Sequence, residues 1–153
     1  MFNAKCFIGE YTGGEKMAEI RELIQVESNG TISFGDYTLE TKAKLNNFDV
    51  NGDIFKVKTY KDITRLECNE VFVYESVPGT AVTNFEKTEE KVSFIVKGVD
   101  GAQITLGLEP ETAYEIFVGG ESVGVMNTNL GGKLSLSVEI TETDGVSILV
   151  NKK

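Results

Sequence analysis

Apolar side chains recur at every second position in short runs along most of this chain, and turns built on glycine cut the runs apart. Successive residues of a strand point to opposite faces, so this alternation specifies half-buried strands and leaves little room for helices. Phe55 and Val57 alternate with Lys56 and Lys58, which places greasy groups on one face and ammonium groups on the other. Ile104, Leu106 and Leu108 repeat the pattern, as do Tyr114, Ile116 and Val118, then Val123 and Val125, and finally Val146, Ile148 and Val150. The clearest case is Leu134 to Ile140, whose serines face water. Val71-Phe72-Val73-Tyr74 is apolar on both faces, as a central strand would be.

The turns carry their own signals. Asn29-Gly30 and Asn51-Gly52 are pairs that accept positive φ in tight hairpins, and Asp100-Gly101, Gly119-Gly120 and Gly131-Gly132 punctuate the second half. The best helical candidate is Lys16 to Gln25, with Ile20, Leu23 and Ile24 on one face, although Leu23 to Glu27 could equally open a hairpin. The expected fold is all-β. A small N-terminal sheet or barrel-like module over 17–85 precedes an antiparallel sandwich over 86–153, with the boundary at the charged run Glu86 to Lys91. Residues 1–16 are a candidate translated leader, because purine-rich codons for Gly13-Gly14-Glu15-Lys16 before Met17 would resemble a bacterial ribosome-binding site. The competing reading makes Ala4 to Ile8 a first strand.

Charge and missing residue types narrow the function classes. Asp and Glu number 24 against 15 Lys and Arg, a formal net charge of −9, with Arg21 and Arg65 as the two guanidinium groups. Nucleic acid is not expected as a partner. Between Val99 and Gly132 there is no Lys or Arg, whereas Asp100, Glu109, Glu111, Glu115 and Glu121 are present, so this stretch repels polyanions and anionic membranes. Histidine is absent, which removes the commonest general base and transition-metal ligand, and no cofactor or metal is expected. Tryptophan is absent too, so an aromatic sugar platform would rest on Tyr and Phe. No run approaches the roughly 20 apolar residues that span a bilayer. Cys6 and Cys68, far apart in sequence, are expected as reduced thiols, and the default location is cytoplasmic.

Three groups of residues are worth placing in a structure. Asp49-Val50-Asn51-Gly52-Asp53 has closely spaced carboxylates, but its glycine comes fourth and Tyr60 stands where a calcium loop needs glutamate, so a hairpin turn is expected. Glu67, Glu70 and Glu75 could supply an acid/base pair only if two of them faced each other across a cleft. Lys56, Lys58, Lys61 and Arg65, set around Tyr60, form a basic cluster suited to an acidic partner.

Two resemblances add expectations. Leu108-Glu109-Pro110-Glu111-Thr112-Ala113-Tyr114 resembles the fibronectin type III and immunoglobulin-like corner, with Leu108, Pro110, Thr112 and Tyr114 at its motif positions. That resemblance implies a structural tyrosine capping backbone between two sheets. The stretches from Gly30 to Tyr37, Phe72 to Val82 and Asn129 to Val138 resemble a family of short bacterial proteins of unknown role, some labelled endosialidase. Sialidase-type hydrolysis, which the label implies, needs several converging arginines and a tryptophan-bearing box. This chain has two arginines and no tryptophan, and so no catalytic residues are carried over. The expected function is non-catalytic binding or assembly with a protein partner, another copy of the chain included. The alternatives are a carbohydrate-directed protein, either a lectin-like module or a carboxylate-dependent glycoside hydrolase, and a phage-derived accessory protein.

Overall fold

The computed structural model describes Ile8, residues 23–140 and residues 145–153. The leader, the start at Met17, Cys6 and residues 16–22 of the candidate helix lie outside the described residues, apart from Ile8, which bridges Lys87. Among the described residues there is no helix. Strands run in chain order as β1 Ile24–Val26, β2 Ile32–Phe34, β3 Ala43–Val50, β4 Asp53–Tyr60, β5 Ile63–Cys68, β6 Val71–Val77 and β7 Ala81–Lys87. They continue as β8 Lys91–Lys97, β9 Ala102–Gly107, β10 Ala113–Val118, β11 Glu121–Asn127, β12 Lys133–Val138 and β13 Val146–Lys152. Of the two readings of this segment the hairpin holds, since Ile24 and Gln25 belong to β1 and not to the end of a helix. An uncapped ten-residue helix gains little by itself, whereas pairing Ile24 with Phe34 across the β1–β2 hairpin buries both.

The strands form two antiparallel sheets that pack as a sandwich. One sheet has the order β1-β2-β7-β8-β13-β10-β11, the other β12-β9-β6-β5-β4-β3. Residues 17–85 and residues 86–153 each contribute strands to both sheets, and β6 is hydrogen-bonded to β9. The barrel-like expectation for the N-terminal half is corrected. β3 ends its sheet beyond β4, and among the described residues no strand closes the ring back to it.

Local chemistry explains the hairpins. Asn51 and Gly52 take φ of 52° and 93°, the two positive values a two-residue mirror-image turn requires, and Gly52 N–H donates to the Asp49 carboxylate at 3.0 Å. The core between the sheets is aromatic. Tyr74 of β6 meets Phe34 and Phe94 edge-on, with ring centroids at 5.3 and 5.7 Å, and Phe85 lies beside them. Such contacts add about 0.5–1.5 kcal/mol each beyond the area they bury.

A knot of hydroxyls is sealed beside those rings. Thr80 Oγ1 lies 2.8 Å from both Tyr74 Oη and Ser76 Oγ, while Thr64 Oγ1 donates to the Thr80 carbonyl and lies 2.7 Å from Thr59 Oγ1. All five side chains are fully buried, so each hydroxyl must find its partner inside the chain. Burial pushes the Tyr74 phenol well above its ordinary range, against the weaker pull of its Thr80 and Ser76 hydrogen bonds.

Where β9 leaves one sheet for β10 in the other, the Tyr114 hydroxyl accepts the Glu109 N–H at 3.3 Å. Leu108 N–H donates to the Gly132 carbonyl, and Thr112 Oγ1 donates to the Pro110 carbonyl at 2.8 Å. Gly132, at φ 81°, passes so close to the Leu108 carbonyl that a Cβ would collide with it. Cys68, fully buried on β5, is disulfide-bonded, which corrects the expectation of a reduced thiol there. Distance along the chain sets no limit on approach once strands fold back on each other.

Candidate functional site

The basic cluster divides in two. Lys56 and Lys58 project from the outer face of β4, and Arg65 of β5 stands directly across from Lys58. With Lys44, Asn46, Val57 and Glu67 they line an open depression of about 360 Å³. Tyr60 and Lys61 sit at the far end of β4 and do not line it. The Asp62 carboxylate, hydrogen-bonded to the Tyr60 hydroxyl, holds that phenol above its usual value, and Lys61 pairs with Glu40 at 3.6 Å. Arg65 is held by Glu67 at 3.2 Å and Glu75 at 3.4 Å, and Lys56 reaches Glu67 at 3.8 Å. Lys44 and Lys58 make no ion pair among the described residues, so they are the free charges of the patch.

Lys44 was not singled out in the sequence, and the reason is a bulge. The Asn51-Gly52 turn pairs Val50 with Asp53 and Phe48 with Phe55, a register that would set Lys44 opposite Thr59. A shift at Asn46 and Asn47, with Asn47 at φ 62°, slips the ladder by one residue and sets Lys44 opposite Lys58. Two like charges then share one face at the edge of the sheet. Phe72 of β6 also faces outward on this sheet, with Arg65 and Lys133 over its ring at 5.1 and 4.6 Å.

The candidate carboxylates do not form an acid/base pair at this depression. Its lining includes one carboxylate, Glu67, already engaged by Arg65 and Lys56. Glu75 shares Arg65, and Glu70 sits in the β5–β6 turn at φ 67°. Asp49 and Asp53 accept hydrogen bonds from Gly52 N–H and Asn69 Nδ2, both at 3.0 Å, which fits a hairpin turn. Tyr74 and Tyr114 are buried and unavailable as a sugar platform.

The second candidate is an edge. β11 ends the seven-stranded sheet, and all seven of its residues are exposed. Val123 and Val125 are 62% and 53% exposed, and Met126 and the following Leu130 add further apolar surface. Natural edges are usually blunted by lysine, proline or short length. β11 has no Lys, Arg or Pro, and its one charge is Glu121. Its blunting device is a bulge opposite Ile116 and Phe117, with Gly124 at φ 117°. Glu115 of β10 lies across from Val125 and takes Lys153 at 3.7 Å, while Lys152 donates to Glu109 at 3.1 Å. Glu111 and Glu121 carry no ion pair among the described residues.

Fold and site together define a two-sheet antiparallel β-sandwich with an edge strand blunted by a bulge but by no charge of its own beyond Glu121, and a basic patch beside a second edge. Among the described residues no helix is long and apolar enough to cross a membrane. Comparison with protein-family models, curated proteins and solved structures finds no match to this chain.

Proposed function

We propose that the chain is a non-catalytic binding or assembly protein whose contact surface is the β11 edge. The carrying observation is that every side chain of β11 is exposed and its outer side pairs with no strand among the described residues. Such an edge offers a row of N–H and C=O groups to an added strand, with the protruding valines supplying apolar contact. The Tyr114 corner between β9 and β10 supports an immunoglobulin-like reading of the sandwich, a fold that serves binding in many settings but assigns no ligand by itself. For the compartment, the Cys68 disulfide favours an oxidising setting over the cytoplasm expected from sequence.

The test places ammonium groups on the edge. Val123→Lys combined with Val125→Lys should abolish the complexes that the wild-type chain forms in sedimentation and pull-down experiments, while circular dichroism stays unchanged. A wild-type chain that is monomeric and captures nothing reproducibly would end this reading.

A further inference from the structure

The depression on the outer face of the six-stranded sheet is a second surface, separate from the β11 edge. We infer that it is an anion site whose ligand is the phosphate monoester of a small polar molecule, with the phosphoryl group held between Lys44 and Lys58. Lys44, Lys58, Arg65 and Glu75 stand opposite one another in a single row across β3, β4, β5 and β6. Arg65 is answered by Glu67 and Glu75, whereas Lys44 and Lys58 make no ion pair among the described residues. Like charges directly opposite each other destabilise a ladder. Here the bulge at Asn46 and Asn47 creates that pairing by slipping β3 one residue along β4. A bound dianion converts the repulsion into attraction.

Side chains directly opposite in an antiparallel ladder have Cβ atoms roughly 5 Å apart, so two flexible lysine stems can bring both ammonium groups onto one tetrahedral anion. Lysine binds phosphate as a point charge and needs no planar fork. A phosphate dianion matches the two free charges, whereas a carboxylate brings one charge to two ammonium groups. Asn46 and Glu67 line the rest of the depression of about 360 Å³. The amide donates and accepts and the carboxylate accepts, so hydroxyls suit the group esterified to the phosphate. Carboxylates on every side set the length of the ligand. Glu75 closes the row beyond Arg65, and exposed Asp49 stands opposite Ile54, the next outward position on β4 after Lys56. At the other end of β4 the Asp62 carboxylate bonds the Tyr60 hydroxyl. A compact anion fits inside this fence, but an acidic peptide or an anionic bilayer would press further negative charges onto it.

Titration of the full chain with inorganic phosphate and with glycerol phosphate, followed by amide NMR shifts, tests this. Both should bind saturably, the ester at least as tightly as the free ion, with the shifts centred on Lys44, Asn46 and Lys58. Acetate should bind about tenfold more weakly. Lys44→Ala and Lys58→Ala should each weaken phosphate binding about tenfold, the effect of losing one charge-assisted hydrogen bond. Lys97→Ala, on β8 of the other sheet, should leave it unchanged. Thermal melts guard against misfolding. Each alanine removes a like-charge neighbour, so without ligand both variants should melt at or above the wild-type temperature, and phosphate should stabilise the wild type more than either variant. Shifts that never saturate, or that scatter over all the lysines, would overturn the site, as would variants that bind like wild type. A lower melting temperature in both variants would contradict the repulsion on which it rests. Tighter binding of a polyglutamate peptide or of phosphatidylserine vesicles than of glycerol phosphate would also overturn it, since the ligand would then be extended. None of these outcomes touches β11, so the edge reading stands or falls by its own test.

Discussion

The hydroxyl knot around Thr80 and the β11 edge treat polar groups in opposite ways. In the knot, five buried hydroxyls are closed on one another and on backbone, so the chain answers every one of them internally. At β11, half of a strand's hydrogen-bonding capacity faces outward beside exposed valines. The first arrangement stores stability and offers nothing to a ligand. The second costs little to alter and is where another molecule can be answered. The sandwich separates the two tasks because inner faces are dry and sheet ends are wet.

If that separation is real, damage to the knot should appear as lost stability. Thr80→Val is nearly isosteric but removes the shared Oγ1, leaving Tyr74 Oη and Ser76 Oγ short of a partner. A buried group left unsatisfied costs about 1–3 kcal/mol. A urea titration should show that loss as a lower midpoint with an unchanged slope, and association through β11 should persist once the protein is folded. An unchanged midpoint would mean that water or rotation of Ser76 replaces the threonine, and the knot would lose its special standing.

Tyr74→Phe sharpens the same point through pH. The phenol is neutral in the folded chain well above the pH at which an unfolded tyrosine ionises, about 10. Above that pH the unfolded chain has released a proton that the folded chain retains, so stability falls as pH rises. Below it, this contribution is fully present. Removing the hydroxyl should flatten the alkaline part of the stability profile, measured by denaturant melts from neutral pH upward. At neutral pH the cost should be about 1 kcal/mol, since Thr80 and Ser76 keep each other. An alkaline limb as steep as that of the wild type would assign the slope to other groups.

How far this contrast was legible in the sequence depends on which distances matter. Strand faces were readable, because burial on one side needs only a period of two. Leu134, Leu136 and Val138 are buried with Ser135 and Ser137 outside, and Phe55 and Val57 are buried against Lys56 and Lys58. Asn51-Gly52 and Gly119-Gly120 were readable as hairpins because their positive φ values call for those residues. Which strands share a sheet was not readable, since alternation gives a strand two faces but no neighbour. Nor were the bulges at Asn47 and Asn84, and with the first went Lys44, half of the basic edge. The Asn69-Glu70 turn was equally silent, a glutamate at φ 67° being an unusual choice for that position. At Val123 and Val125 the pattern misled. Alternation marked them as a strand with a core face, yet Val125 lies across from Glu115, on the face opposite to that of buried Tyr114 and Ile116, and the bulge at Gly124 breaks the alternation between the two valines.

The smallest stability effect belongs to the edge itself. Val125→Lys changes a side chain that is 53% exposed and sits across from Glu115. The lysine gives up some β-propensity and apolar contact but gains an opposite-charge partner on the neighbouring strand, so the net change in unfolding free energy should stay within about 0.5 kcal/mol. Thermal melts of the single variant and wild type should nearly superimpose while complex formation weakens. A large drop in melting temperature would mean that Val125 supports the fold and that β11 belongs with the core, which would erase the distinction between a region that holds the molecule together and one that reaches beyond it.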